Sequence, residues 1–150
     1  MQVVLDSNEF LFAFLAKKKE CILVLRACKN LNAVIPSIVL EEVSENIKIE
    51  SGKDKSGKVR KFISESGWFK VIDDNQIPNI LLEKYIMKGL KKEDAVIGAF
   101  TEWVGAKYLI SENRHFLQLN VNDFEVLSAK QFLTRFNILH WASVKTTIPP

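Results

Sequence analysis

Short, uninterrupted apolar segments recur along this chain, and a longer stretch with helical periodicity follows each of the first two. The first segment is VVL at residues 3–5, and AVI at residues 33–35 repeats the arrangement. Such short runs are typical of strands that are covered on both faces, which is the environment of a parallel sheet. Parallel neighbours need long crossover connections, so alternating strands and helices predict an α/β fold.

The same reasoning extends over the whole chain. Strands are predicted at residues 3–5, 33–35, 69–72, 108–110 and 124–127. Helices are predicted from residue 8, through residues 22–26, and over about 37–47, 59–64, 78–88, 92–104 and 129–136. These elements predict a three-layer α/β/α sandwich with a mainly parallel sheet of about five strands, formed by one domain of residues 1–150.

One segment has a composition that is unfavourable for burial. Residues 50–61, ESGKDKSGKVRK, combine two glycines and two serines with five basic residues. We expect an exposed loop there, which enters the short helix at residues 59–64.

Composition limits the classes of partner and site. The 21 basic and 18 acidic residues give a net charge of +3, which permits a polyanionic partner without requiring one. Cys21 and Cys28 lack the spacing of a zinc motif or a disulfide framework, so we expect two packed thiols. No apolar segment approaches the length of a membrane helix, and we expect a cytoplasmic protein without membrane contact.

Acidic and amide side chains fall where strands of such a sheet end. Asp6 directly follows the first predicted strand, and Asn113 follows the fourth. Glu42 lies in the helix after the second strand, and Asp94 lies in the first turn of the helix before the fourth. Ligands of open α/β sheets bind beyond the carboxyl ends of the strands, so we expect these four residues to converge there. The alternatives are a helix cap for Asp6 and ordinary surface charges for Glu42 and Asp94.

Carboxylates that converge in one cleft repel each other, and burying them is costly unless a cation compensates their charge. Mg²⁺ and Mn²⁺ prefer oxygen ligands, so three carboxylates and an amide suit them better than they suit zinc. Such an ion can activate a water molecule and neutralise charge on a phosphodiester.

Four segments together resemble the PIN-domain ribonucleases, and within them the VapC-like toxins of prokaryotic toxin–antitoxin pairs. They are VVLDSN at 3–8, IPSIVLEEV at 35–43, GLKKEDAVIGAF at 89–100 and GAKYLISENRHF at 105–116. The segments span most of the chain in the order that this family has.

The resemblance implies roles for specific residues. It implies that Asp6, Glu42 and Asp94 are catalytic residues that hold Mg²⁺ or Mn²⁺, with Asn8 and Ser111 in support. Asn113 is the fourth catalytic position, where the family commonly has Asp. Glu42 is chosen over Glu41 because the family's helical acid commonly precedes a Leu or Val, as Glu42 does here.

Basic and aromatic residues are candidates for RNA contact. Arg114 could hold a substrate phosphate or be a solvated turn residue. Five basic residues form what we call the basic strip: Lys53, Lys55, Lys58, Arg60 and Lys61. The strip is either an RNA-facing surface or a solvated loop. His115 is more often structural than catalytic in such a position. We expect packing roles for Trp68, Trp103 and Trp141.

The preferred function is that of a metal-dependent endoribonuclease toxin, which hydrolyses RNA through a metal-activated water. The resemblance to these toxins also implies a cognate antitoxin partner and a homodimer, the state that toxins of this type often have. The alternative is a PIN-like module that binds RNA or protein and has weakened catalysis, because Asn113 replaces an acid. A phospho-receiver or nucleotide-binding domain fits less well, since Asp6 has no second acid beside it and no glycine-rich loop follows the first strand.

Overall fold

Five strands form one all-parallel sheet in the computed structural model, which describes residues 1–136. The strands are β1 (Gln2–Leu5), β2 (Asn32–Pro36), β3 (Lys70–Ile72), β4 (Tyr108–Ile110) and β5 (Glu125–Leu127). Their order across the sheet is β3-β2-β1-β4-β5. The prediction of a parallel α/β sheet of about five strands is confirmed, and each strand lies within two residues of its predicted bounds.

Eight α-helices connect and cover these strands within residues 1–136. They are α1 (Ser7–Phe14), α2 (Lys19–Ala27), α3 (Ser37–Ser51), α4 (Lys53–Glu65), α5 (Asn79–Met87), α6 (Lys92–Trp103), α7 (Arg114–Leu117) and α8 (Ala129–Arg135). Helices α1 to α4 and α8 pack against one another, while α5 packs on α6. Helices α1 to α4 belong to crossovers that run from β1 to β2 and on to β3, whereas α5 and α6 belong to the return from β3 to β4, so right-handed connections place these two sets on opposite faces of the sheet. None of the described helices is long and apolar enough to span a membrane.

The central position of β1 in the sheet explains why its short sequence is so apolar. β1 pairs with β2 on one side and β4 on the other, and its residues Val3, Val4 and Leu5 are fully buried. The chain leaves β1 towards β2 and later returns to β4 on the opposite side. The carboxyl ends of β1 and β4 therefore form the switch point of the topology, where α/β folds have their ligand crevice.

The predicted loop at residues 50–61 is wrong, because most of this segment is helical. Helix α3 continues to Ser51, Gly52 makes the turn with φ +94°, and α4 begins at Lys53. The buried side chains of α4, Ser56, Val59 and Ile63, recur every three or four residues. Ser56 also donates a hydrogen bond of 2.6 Å to the Ser44 carbonyl oxygen in α3. This narrow stripe is enough to dock a strongly charged helix, which is why average composition misled the prediction.

The predicted packing roles of the thiols and tryptophans agree with the structure. Cys21 and Cys28 are free and buried. Trp68 and Trp103 are partly buried and pack on the core, and the Trp68 ring meets Phe62 edge-on at 5.0 Å between centroids. Trp141 lies outside the described residues.

Candidate active site

Asp6 lies at the carboxyl end of β1, and its two carboxylate oxygens have different partners. Oδ1 accepts a hydrogen bond of 2.7 Å from the Ser7 backbone N–H, which caps α1. Oδ2 accepts one of 2.7 Å from the hydroxyl of Ser111, directly after β4. The side chain is therefore a helix cap and also a link across the switch point of the sheet.

The carboxyl group of Asp6 is held in an environment that disfavours its charge. Burial raises its pKa from 3.8 to about 6, although the hydrogen bonds from Ser111 and Ser7 lower it. The negative charges of Asp94 and Glu42 raise it further. A group in this position gains from a nearby cation, because a cation removes the electrostatic penalty of ionisation.

Glu42 is connected to Asp6 through the hydroxyl of Ser7. The Ser7 Oγ donates a hydrogen bond of 2.8 Å to Glu42 Oε2 and lies 3.4 Å from Asp6 Oδ1. Glu41 is exposed and pairs with Arg60 at 2.7 Å, so of the two adjacent acids only Glu42 faces the crevice. The role of Ser7 was missed in the sequence, where a small hydroxyl after a strand reads only as a helix cap. Burial raises the pKa of Glu42, and the nearby Asp94 adds to this effect.

Asp94 and Asn113 approach each other from the far side of the crevice. Asn113 Nδ2 donates to Asp94 Oδ2 at 3.5 Å, while Asn113 Oδ1 accepts a hydrogen bond of 2.9 Å from the His115 backbone N–H and caps α7. Burial raises the pKa of Asp94. The amide of Asn113 thus presents a donor to the acids, and its oxygen is engaged in the cap.

The two predicted supporting residues have unequal contacts. Ser111 contacts Asp6 directly, and its hydroxyl oxygen also accepts a hydrogen bond of 2.9 Å from the Asn113 backbone N–H. Asn8 Oδ1 accepts one of 3.3 Å from the Glu112 backbone N–H, so Asn8 contacts the loop after β4 and not the acids.

The three acids face one crevice without forming a tight cluster. The ligand atoms of Asp6, Glu42 and Asp94 do not all lie within 4.8 Å of one another. Among the described residues, that distance is met by a different group, Glu9, Cys21 and Glu112. The donor set still fits Mg²⁺ or Mn²⁺, because Mg²⁺ keeps several waters and usually binds through one or two carboxylates.

The predicted RNA-binding residues fall on two elements. Arg114 is exposed at the first position of α7, next to Asn113. The basic strip lies on α4, which runs antiparallel to α3 after the turn at Gly52. Its Arg60 contacts Glu41 near the start of α3, whereas Lys53 lies beside the far end of that helix. The strip therefore approaches the acids only at its Arg60 end.

A groove with a volume of about 460 Å³ runs past the same region. His115 lines it together with residues 88–90 and 118–120. The charge of His115 lowers the pKa of Asp94, which places this groove next to the acids. His115 is exposed, and only the neighbouring Phe116 enters the core.

Comparison with solved structures identifies the fold. A chain of VapBC2 from Rickettsia felis, bound to a DNA fragment from its promoter, matches with a TM-score of 0.67 at 20% identity, covering 85% of this chain and 98% of that chain. DNA-bound VapBC from Salmonella typhimurium matches with 0.68 at 18% identity over 86% and 98%. VapBC-1 from nontypeable Haemophilus influenzae matches with 0.67 at 18% identity over 87% and 99%.

No family model matches the sequence, and no curated protein does. The structural likeness covers most of this chain and nearly all of each matched chain. The chain therefore has the PIN-like α/β fold, of the VapC type, that the four sequence segments implied.

Proposed function

We propose that this protein is a metal-dependent endoribonuclease and the toxin of a toxin–antitoxin pair. The observation that carries the proposal is the linked set of acids at the switch point of the sheet. Buried Asp6 is connected through Ser7 to Glu42 and through Ser111 to the loop that carries Asn113. A fold alone does not define an activity, so the proposal depends on this site.

In the proposed site, Asp6, Glu42 and Asp94 hold Mg²⁺ or Mn²⁺. The ion supplies an activated water and neutralises charge on the scissile phosphate when it is bound. Ser7 and Ser111 fix the orientations of the Asp6 and Glu42 carboxylates through their hydrogen bonds. Asn113 positions Asp94 through its amide N–H, a donor that an Asp at this position would not have.

We further propose that the RNA backbone crosses the crevice between Arg114 and the groove lined by His115. Arg114 is exposed beside Asn113, where its guanidinium can contact a phosphate. The lysines of α4 extend the positive surface without reading bases.

The relatives also suggest partners. They were solved as VapBC toxin–antitoxin complexes, so we propose a cognate antitoxin for this chain. A homodimer and a cytoplasmic location complete the proposal.

A second function is favoured by one observation. Asn113 removes a negative charge from the site, and its amide oxygen is already engaged by the His115 backbone N–H. A site with one acid fewer holds cations more weakly, which is compatible with a PIN-like module that binds RNA or protein without turnover.

Cleavage of a generic RNA in the presence of Mn²⁺ separates the two functions. We expect cleavage by the wild-type protein and a loss of at least about a hundredfold in Asp6→Asn, Glu42→Gln and Asp94→Asn. The matched control is Glu41→Gln, because this adjacent acid pairs with Arg60 outside the crevice. Equal cleavage by Glu42→Gln and wild type would contradict the proposed site, and RNA binding without Mn²⁺-dependent cleavage would support the binding module.

A further inference from the structure

A second cluster of ligand-type side chains lies inside the fold. It consists of Glu9 in α1, Cys21 in α2 and Glu112 in the loop between β4 and α7. One ligand atom from each of these residues lies within 4.8 Å of the others. The three residues come from three separate elements, so their meeting is a property of the tertiary structure. We call this set the Glu9 cluster.

Glu9 is the member that most needs an explanation. Its side chain is fully buried, and neither of its carboxylate oxygens has a hydrogen-bond partner. A buried carboxyl group without any partner is unfavourable, because it loses its hydration and gains no hydrogen bond in return. Burial, and after it the nearby Glu112, raises the pKa of Glu9 well above its ordinary value.

The other groups around the cluster do not satisfy Glu9. Lys18 reaches Glu112 Oε1 at 3.6 Å, and the Ala129 backbone N–H donates to Glu112 Oε2 at 2.9 Å. Both contacts are to Glu112, so the two oxygens of Glu9 still face the cluster unpaired. A proton on Glu9 removes its charge and can be shared with Glu112, a hydrogen bond that contributes to the raised pKa of Glu9. A cation satisfies the oxygens and the charge together.

We propose that Glu9, Cys21 and Glu112 bind a divalent cation of the zinc class. A thiolate with two carboxylates is a ligand set for a borderline-soft ion, whereas Mg²⁺ takes oxygen ligands alone. A tetrahedral ion of this class holds its ligand atoms roughly 3.5 Å apart, which small side-chain adjustments can reach. A water molecule completes the coordination, and the ion enters past Glu112, the partly exposed member.

The bound ion connects α1 and α2 to the loop after β4. That loop contains Ser111, which holds Asp6, and Asn113, which holds Asp94. An ion bound by the Glu9 cluster therefore stabilises the scaffold behind the crevice. The existence of this site does not depend on the proposed nuclease activity.

Co²⁺ is the probe that tests the site, because cobalt bound by a thiolate gives a charge-transfer absorption band in the near ultraviolet. Full-length protein is titrated with Co²⁺ in the presence of excess Mg²⁺, which saturates sites made of oxygen ligands alone. We expect one equivalent of Co²⁺ to produce the band, and one equivalent of Zn²⁺ to abolish it by displacement.

The two buried cysteines provide a matched pair of variants. Cys21→Ser should lose the band, while Cys28→Ser should retain it, since both thiols are free and buried but only Cys21 belongs to the cluster. Glu9→Gln should weaken Co²⁺ binding by about tenfold or more, because even the loss of an indirect partner of a ligand has effects of that size. Asp94→Asn should leave the band unchanged.

Several outcomes would overturn the proposal. They are the absence of a stoichiometric band in the wild-type protein, a band that survives in Cys21→Ser, and Co²⁺ binding that Glu9→Gln does not alter. If Cys21→Ser fails to fold, Cys21→Ala in the same assay and the Glu9→Gln titration decide the question. Loss of RNA cleavage in the crevice variants has no bearing on these readouts.

Discussion

At the scale of single residues, Asp6 combines two roles that the sequence presented as alternatives. One of its oxygens caps α1 and the other accepts the Ser111 hydroxyl. The cap contributes about 1 kcal/mol of stability. Burial next to Glu42 and Asp94 acts in the opposite direction, as the raised pKa shows. The position therefore favours cation binding at the expense of the stability of the metal-free protein.

This balance predicts an unusual pH dependence at Asp6. Its pKa of about 6 in the folded protein lies above the 3.8 of the unfolded chain, so the folded state holds the proton more tightly. The free energy of unfolding should therefore fall as the pH rises through this interval, by about 3 kcal/mol from this residue. Urea unfolding in the presence of a chelator, at about pH 4 and about pH 8, measures the change.

The variant Asp6→Asn cannot titrate at this position. Its stability should fall less than that of the wild-type protein over the same pH interval, by about the same 3 kcal/mol. Asp54→Asn, which removes an exposed acid from α4, is the control and should keep the wild-type dependence. An equal pH dependence in Asp6→Asn and wild type would contradict the prediction.

At the scale of elements, the α3–α4 hairpin positions Glu42 and supports it. The pair Glu41–Arg60 and the hydrogen bond from Ser56 to Ser44 join the two helices near the end that carries Glu42. Arg60 and Glu41 are both exposed, so their ion pair adds little stability. The apolar stripe of α4, with the turn at Gly52, is what fixes the hairpin.

Two glycines in this hairpin should respond to the same substitution with opposite signs. Gly52 has φ +94° and ψ 168°, a conformation that is strained for any residue with a Cβ atom, whereas Gly57 lies within α4. A Cβ meets no atom within 4 Å at either position, so backbone conformation alone decides the effect. Gly52→Ala should lower the free energy of unfolding by about 1–3 kcal/mol. Gly57→Ala should raise it by about 0.5–1 kcal/mol.

The midpoints of urea unfolding, with unchanged slopes, measure both effects. Gly57→Ala is the control for the added methyl group, because it changes the same atoms in a helical conformation. A Gly52→Ala protein as stable as the wild type would show that the turn does not need this conformation.

At the scale of the whole molecule, a small net charge conceals an uneven distribution. The formal charge is only +3, yet three acids face the crevice while the α4 lysines lie on a neighbouring surface. Lys70 begins β3, Lys107 directly precedes β4, and Lys29 lies in the short turn that leads into β2, so all three lie towards the opposite edge of the sheet. An RNA that enters the crevice should interact with the lysines of α4 and not with Lys29, Lys70 and Lys107.

The salt dependence of RNA binding tests this asymmetry. Replacing Lys53, Lys58 and Lys61 together by Ala should reduce the slope of log affinity against log salt concentration by about 2, because each phosphate contact to single-stranded RNA contributes about 0.7. Fluorescence anisotropy with a labelled RNA measures the slope. The control variant replaces Lys29, Lys70 and Lys107 and carries the same net charge. Equal slopes for the two triple variants would exclude α4 from the RNA-binding surface.

The accuracy of the sequence predictions varied with the kind of signal. Buried strands such as residues 108–110 were located to the residue, because a short apolar run leaves few alternative registers. Helix α4 was mistaken for a loop, since its charge outweighed the three buried positions that dock it. Ser7 was missed because a hydroxyl after a strand carries no signal of the acid that it will contact, 35 residues further along the chain.

The sequence by itself determined the parallel α/β architecture and the strand ends where the acids stand, because hydrophobic periodicity and strand length are local properties. Only the tertiary structure decided that Glu42 and not Glu41 contacts Ser7, and that Glu9, Cys21 and Glu112 meet inside the fold. Cys21 had no motif spacing that suggested a metal ligand. Contacts of this kind join residues from separate elements, and they are set by how the helices pack on the sheet.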